Sequence, residues 1–176
     1  MLDPQVRTSD THPITLSWVL EHSGGKLGLC YCPGKHVKRL RVTWKRVLAK
    51  DLARLKGDFG VTCIVCLLDT AELQSFKLRD YAAGVASAGL ELEAFPIIEM
   101  QPPTDMDATA ALIDRLVARM RRGQVLAVHC RGGVGRAGLI AACVLLHVGQ
   151  CATPQAAIEH VGLKEAHAER GIAAGA

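Results

Sequence analysis

VLAVHCRGGVGRAGLIAACVLLHV, residues 125–148, changes character in its middle. Val125–His129 is a short apolar run of the kind that forms a buried strand. Ala137–Val148 is apolar almost all round, which predicts a buried helix. The joint between them is Cys130, Arg131, Gly132, Gly133, Val134, Gly135, Arg136. Glycines let a backbone curl so that successive N–H groups turn inward and form a nest for an anion. The following helix adds its unpaired N–H groups and the positive end of its dipole. Arg136 can fork onto two oxygens of a tetrahedral dianion. The same positive field favours the thiolate form of Cys130, the form that acts as a nucleophile. The stretch therefore predicts a strand and a helix that hold a rigid loop, with a sulfur nucleophile beneath a bound phosphate.

Working outward, apolar runs at Lys26–Cys32, Val61–Leu68 and Leu90–Ile98 predict three more strands. Thr43 is read as the cap of a helix carrying Trp44, Val47, Leu48, Leu52 and Leu55 at helical spacing, closed by Gly57. Helices are also predicted from Thr70 to near Gly89, over Met106–Met120, and over Thr153–Val161, where Thr153-Pro154 starts the last. Alternation of strands and helices implies an α/β domain with a mostly parallel central sheet of four to five strands flanked by helices. In such folds ligands bind beyond the carboxyl ends of the strands, where Cys130 is placed. Residues 1–26 are read as an N-terminal extension, of which 1–20 wrap the surface, 27–164 as the single domain, and 165–176 as a frayed tail. Lys35–Arg46 contains six lysines and arginines. It reads as a solvated loop and helix face, or as a surface that attracts a phosphorylated partner.

The chain has 176 residues, and 49% of them are apolar but only 4% aromatic, enough for one aliphatic core. A net charge of +4 suits an anionic ligand but is too small to imply nucleic-acid binding. Leu139–Val148 is too short to span a membrane, and MLDPQVRTSDTHP lacks the basic-then-apolar order of a signal peptide. A cytoplasmic protein with no membrane association is expected. Seven cysteines, an odd number, do not suggest a disulfide framework. Cys30, Cys32, Cys63 and Cys66 supply four thiols for a zinc ion. Cys63 and Cys66 stand three apart on one predicted strand, however, and point to opposite faces. Neither metal nor cofactor is expected, and the thiols are read as small core side chains.

HCRGGVGRAG carries the H-C-x5-R signature and resembles the protein tyrosine and dual-specificity phosphatases. LGLCYCPG (27–34), DLARLK (51–56), LDTAEL (68–73), FPI (95–97), VHCRGGVGRAGLIAACVLL (128–146) and TPQAAIEHV (153–161) are similar to the kinase-associated phosphatase subgroup. That resemblance implies a tyrosine-phosphatase-like fold and a phosphorylated protein, such as a cyclin-dependent kinase, as partner. It implies a phosphocysteine on Cys130, with Arg136 and the amides of residues 131–136 binding the phosphate. It implies a carboxyl group that serves first as acid and then as base. His129 would orient the loop and tune the thiolate, and Arg131 would face outward to substrate or solvent.

The chain departs from the family pattern at two places. Where the family places its aspartate, this chain reads Pro96-Ile97-Ile98-Glu99. Glu99 is the aligned candidate for the acid, with Asp105 the alternative and Asp107 a third. Thr104-x-x-Asp107 also resembles a capping box. Ala137 stands where the family carries a hydroxyl that helps sulfur leave in the second step. Slow turnover is expected, and with it an alternative function, a phosphoprotein-binding module of the pseudophosphatase kind. Sulfur or arsenate transfer is a third class, disfavoured by the helix-rich flanks. The loop carries no lysine, which disfavours phosphoinositides. Cys66 is a candidate to resolve an oxidised Cys130 as a disulfide.

Overall fold

The computed structural model describes residues 5–38 and 40–162. The chain runs β1 (Gln5–Thr8), β2 (Ser17–His22), β3 (Gly25–Cys30), β4 (His36–Lys38), β5 (Val42–Lys45), α1 (Leu48–Phe59), β6 (Cys63–Cys66) and α2 (Thr70–Ser75). It continues with α3 (Tyr81–Ser87), β7 (Glu91–Ala94), α4 (Met106–Arg121), β8 (Val125–His129) and α5 (Gly135–His147). A last helix, α6, covers 154–162.

β8 is the middle strand of a five-stranded sheet, ordered β2-β3-β8-β6-β7. Its pairs with β3 and β6 are parallel, as is β6 with β7, while β2 is an antiparallel edge on β3. Covered on both faces, β8 can be apolar throughout, and Leu126, Ala127 and Val128 are fully buried. Side chains alternate between two cores. Cys63, Val65, Leu126 and Val128 pack with Leu112 and Leu116 of α4 and Ile140 and Val144 of α5. Ile64, Cys66 and Ala127 pack on the other face with Leu52 and Leu55 of α1 and Val85 of α3. Cys63 and Cys66 are thus on opposite sides of the sheet, as their spacing on a strand requires.

The mostly parallel α/β sheet agrees with the sequence reading, but several details are corrected. Residues 17–22 do not wrap the surface; they form the edge strand of the main sheet. The described residues of Lys35–Arg46 form no helix, and most of them are strand. The strands are β4 and β5, which pair antiparallel and join β1 in a small second sheet. Val42, Thr43 and Trp44 are β-branched or aromatic, and β1 gives them a partner. Thr43 therefore caps nothing, and α1 begins after Val47. Gly57 lies inside α1. The helix ends at Gly60, whose φ of 68° is the left-handed conformation that glycine adopts without strain. The helix predicted over 70–89 is two, separated by Lys77 at φ 63°. The predicted tail, 165–176, lies outside the described residues.

One buried pair anchors the end of the cationic segment. Arg46, 1% exposed, donates from Nε and Nη2 to the two oxygens of Asp51 at 2.7 Å each. Its Nη1 donates to the carbonyls of Thr8 and His12 at 3.3 and 2.6 Å. Asp51 also accepts from the Gly34 N–H at 2.8 Å. One guanidinium thus joins the N-terminal segment, the small sheet and α1.

Candidate active site

The cysteine loop begins where β8 is most firmly held. His129 pairs with Cys30 on one side and Cys66 on the other, and its carbonyl accepts from Leu67 N–H at 3.0 Å. Cys130 follows, 4% exposed, and its Sγ accepts from the Gly133 N–H at 3.3 Å. Gly133 has a φ of 84°, and a Cβ there would stand 2.5 Å from the Cys30 carbonyl oxygen. Glycine is required at 133 on both counts. Gly132 and Gly135 have neither constraint. Val134 is the N-cap of α5 and makes no side-chain cap bond, so no side chain of its own competes for the first-turn N–H groups.

Arg136, in the first turn of α5, is 7% exposed and tightly placed. Its Nη1 and Nη2 donate to the two oxygens of Glu72 at 2.7 and 2.8 Å, and Nη1 also donates to the Ile97 carbonyl at 2.7 Å. The hydrogen bond to Glu72 raises the guanidinium pKa further above its usual range, so the cation is permanent. Of the five N–H hydrogens, three are then engaged. The other two, on Nε and Nη2, share one edge of the planar group, the edge that matches two oxygens of a phosphate. Glu72 is itself anchored. It closes a capping box with Asp69 at the start of α2, its N–H donating to Asp69 Oδ1 at 2.7 Å.

His129 is fully buried, and burial pushes its pKa down to about 4. The neutral ring has one N–H. Nδ1 lies 3.2 Å from the Cys130 carbonyl, which can only accept, so Nδ1 carries the hydrogen. Nε2 then accepts from the Tyr81 hydroxyl at 2.8 Å. Tyr81 and His129 thus form a hydrogen-bonded chain that ends on the carbonyl of Cys130.

Cys130, Arg136, Glu99, Gln101, Lys35 and Trp44 are among the residues lining a cleft of about 590 Å³. Glu99 enters on the segment after β7. There Met100 takes a φ of 62° and Gln101 N–H donates back to the Ile98 carbonyl at 3.1 Å, a tight turn. Arg131 Nη1 reaches Glu99 Oε1 at 3.2 Å across the mouth, and its guanidinium lies 5.6 Å from the Phe76 ring centre. Asp105 has other work. It is the N-cap of α4, accepting from Ala108 N–H at 2.8 Å, and Asp107 sits in that helix's first turn. Neither Asp105 nor Asp107 lines the cleft. The cap is Asp105 and not Thr104. Ala137 is fully buried in the apolar core beneath the loop. Burial pushes the Cys66 thiol up to about 11.

Sequence reasoning missed Glu72, Tyr81 and Lys35. Asp69-x-x-Glu72 was readable as a capping box, but its reach to Arg136 was not. Tyr81 reads as one more apolar position on a helix.

A family model described as cyclin-dependent kinase inhibitor 3 matches residues 3–158. The chain belongs to that family. Cyclin-dependent kinase inhibitor 3 of Rattus norvegicus is 27% identical over 160 residues, covering 89% of this chain and 73% of the relative. The Homo sapiens protein of that name is 28% identical over 150 residues, covering 84% and 68%. Among solved structures, kinase-associated phosphatase with its catalytic-site cysteine replaced by serine superimposes at a TM-score of 0.75, with 27% identity over 85% of this chain and 83% of that one. Tk-PTP in the active form shares the fold at a TM-score of 0.59 and 19% identity, each chain covered to 84%. Membership of the cyclin-dependent kinase inhibitor 3 family places the chain in the dual-specificity phosphatase superfamily and makes its function phosphatase-like. No helix among the described residues is long and apolar enough to cross a membrane.

Proposed function

We propose that this chain hydrolyses phosphomonoesters of tyrosine and of serine or threonine on proteins through a phosphocysteine at Cys130. The observation that carries the reading is the joint placement of Sγ and Arg136. The sulfur accepts the Gly133 N–H, and Glu72 holds the guanidinium with its paired edge available for two phosphate oxygens. In the first step the Cys130 sulfur forms a bond to phosphorus as the ester oxygen leaves. Glu99, which lines the cleft, protonates that oxygen. In the second step Glu99 takes a proton from water, the water oxygen attacks phosphorus, and the P–S bond breaks to return thiolate and inorganic phosphate. Arg136 and the loop amides stabilise the charge that builds on the equatorial oxygens in both. His129, neutral and tied to Tyr81, orients the loop. The substrate is a phosphorylated protein, and the family description makes a cyclin-dependent kinase the first partner to test. Release of p-nitrophenol from its phosphate is the direct assay. Activity abolished in Cys130→Ser supports the reading, whereas equal rates in the two chains overturn it.

Ala137 favours a second reading, a catalytically weak phosphoprotein-binding module. The resemblance places a hydroxyl at this position, and the buried methyl supplies none. Without it, hydrolysis of the intermediate is the slow step: the dephosphorylated protein leaves when the P–S bond forms, and the chain then rests as phosphocysteine and turns over weakly.

A further inference from the structure

We infer that Lys35 is a positioning residue that keeps the amide of Gly132 turned toward the phosphate, an inference that rests on the phosphatase reading above. Lys35 is itself held firmly. Gly34, just before it, has a φ of 72°, and its N–H is gripped by Asp51 at 2.8 Å. The carbonyl of Lys35 accepts from Arg46 N–H at 3.3 Å. The side chain is 7% exposed, with Nζ 4.7 Å from the Tyr31 ring centre and 4.6 Å from that of Trp44. Two aromatic faces thus seat the ammonium against one wall of the cleft.

From that seat Nζ donates to the carbonyl oxygen of Arg131 at 3.2 Å. The same oxygen accepts from Cys32 N–H at 3.4 Å. Both donors come from the 32–35 segment, so the carbonyl is drawn to that side. The described chain has no cis peptide bond, and in a trans peptide the carbonyl and the next N–H point in opposite directions. The Gly132 N–H is therefore directed away from Lys35. Gly132 lines the cleft together with Lys35, Cys130 and Arg136, and on this inference its N–H turns from the Lys35 wall toward an oxyanion over Sγ.

No side chain at position 132 resists a flip of this peptide, and a Cβ placed there would meet nothing within 4 Å. Rotation would present the Arg131 carbonyl oxygen to the phosphate and remove one donor. The ammonium opposes that rotation with a charge-assisted bond, which is stronger than the longer one from Cys32.

The test uses the full chain and tungstate, a tetrahedral oxyanion whose binding is read by calorimetry without turnover. Lys35→Met keeps the stem against the rings and removes the charge and the donor. Lys35→Arg keeps both. Lys35→Met should bind tungstate about tenfold more weakly, with kcat/KM on p-nitrophenyl phosphate reduced by a similar factor. Lys35→Arg should stay within about threefold of the unaltered chain, at an unchanged melting temperature in both. Tungstate affinity in Lys35→Met equal to that of the unaltered chain overturns the inference, as does an equal loss in Lys35→Arg. If Lys35→Met does not fold, Lys35→Gln takes its place under the same two outcomes. Failure of the unaltered chain to bind tungstate or release p-nitrophenol overturns the phosphatase reading instead, and this inference with it.

Discussion

Glu99 and Asp105 are carboxylates on one connecting segment, and their surroundings divide them. Glu99 lines the cleft and faces Arg131, while Asp105 spends its oxygen on the N-cap of α4. Glu99→Gln should lower kcat by about 10² to 10⁴, the range for loss of a general acid. Asp105→Ala should leave kcat unchanged and cost about 1 kcal/mol of stability, the worth of a cap. Steady-state kinetics and urea titration of both variants decide, and a reversed pattern would transfer the acid role to Asp105. Ala137 gives a second prediction. Ala137→Ser supplies the missing hydroxyl and should raise kcat about tenfold, with the burst of p-nitrophenol in rapid-quench traces shrinking. A wild type with no burst and a mutant with the same rate argue against a slow second step. The residues legible in the sequence, Cys130 and Arg136 above all, lie in one contiguous loop. Their chemistry needs no knowledge of the fold. Glu72, Tyr81 and Lys35 meet that loop from 64, 48 and 96 positions away, and no local pattern encodes such a contact.

At the scale of elements, α2 carries a duty out of proportion to its six residues. Its capping box fixes Glu72, Glu72 fixes the guanidinium of Arg136, and so the turn at Asp69 bears on the geometry of the loop after β8. Glu72→Gln keeps the shape but removes the charge that pairs with both nitrogens. We expect kcat/KM to fall about 10- to 100-fold through misplacement of Arg136, as small displacements at a reacting centre do. Steady-state kinetics beside a melting curve separate this from unfolding; unchanged kcat/KM would show that Arg136 does not need its partner. The sequence reading located α2 but fused it with α3, because apolar residues continue in helical register across Lys77. The break spans residues 76–80 and contains Lys77 in the left-handed conformation, which no apolar pattern signals. The β4–β5 hairpin was missed for a related reason. A run rich in lysine and arginine reads as solvated surface, and only a partner strand and a buried acid reveal it as sheet.

At the scale of the whole molecule, two buried polar centres set the conditions under which the fold persists. The first is the Arg46–Asp51 pair, with side chains 0% and 1% exposed. Removing one partner from such a pair leaves a charge without compensation and costs about 3 to 5 kcal/mol. Asp51→Asn should therefore destabilise by about that amount, whereas Arg46→Met with Asp51→Leu recovers most of it. Urea midpoints settle the matter; a single variant as stable as the wild type would mean that water reaches Arg46. The second centre is His129, whose pKa is held at about 4 by burial against an ordinary value of 6.5. The unfolded chain takes up a proton at this ring as pH falls below about 6.5, and the folded chain does not until about 4. Between those values the unfolded state binds more protons, so stability rises with pH. The contribution is complete above about 6.5 and is lost progressively in acid, amounting to about 3 kcal/mol across the window. Urea midpoints taken at about pH 5 and about pH 7.5 should differ in that sense in the wild type. His129→Gln retains hydrogen-bonding capacity without a titrating ring and should flatten the difference. An equal pH slope in both chains would place the acid sensitivity elsewhere and free His129 from its part in holding the loop.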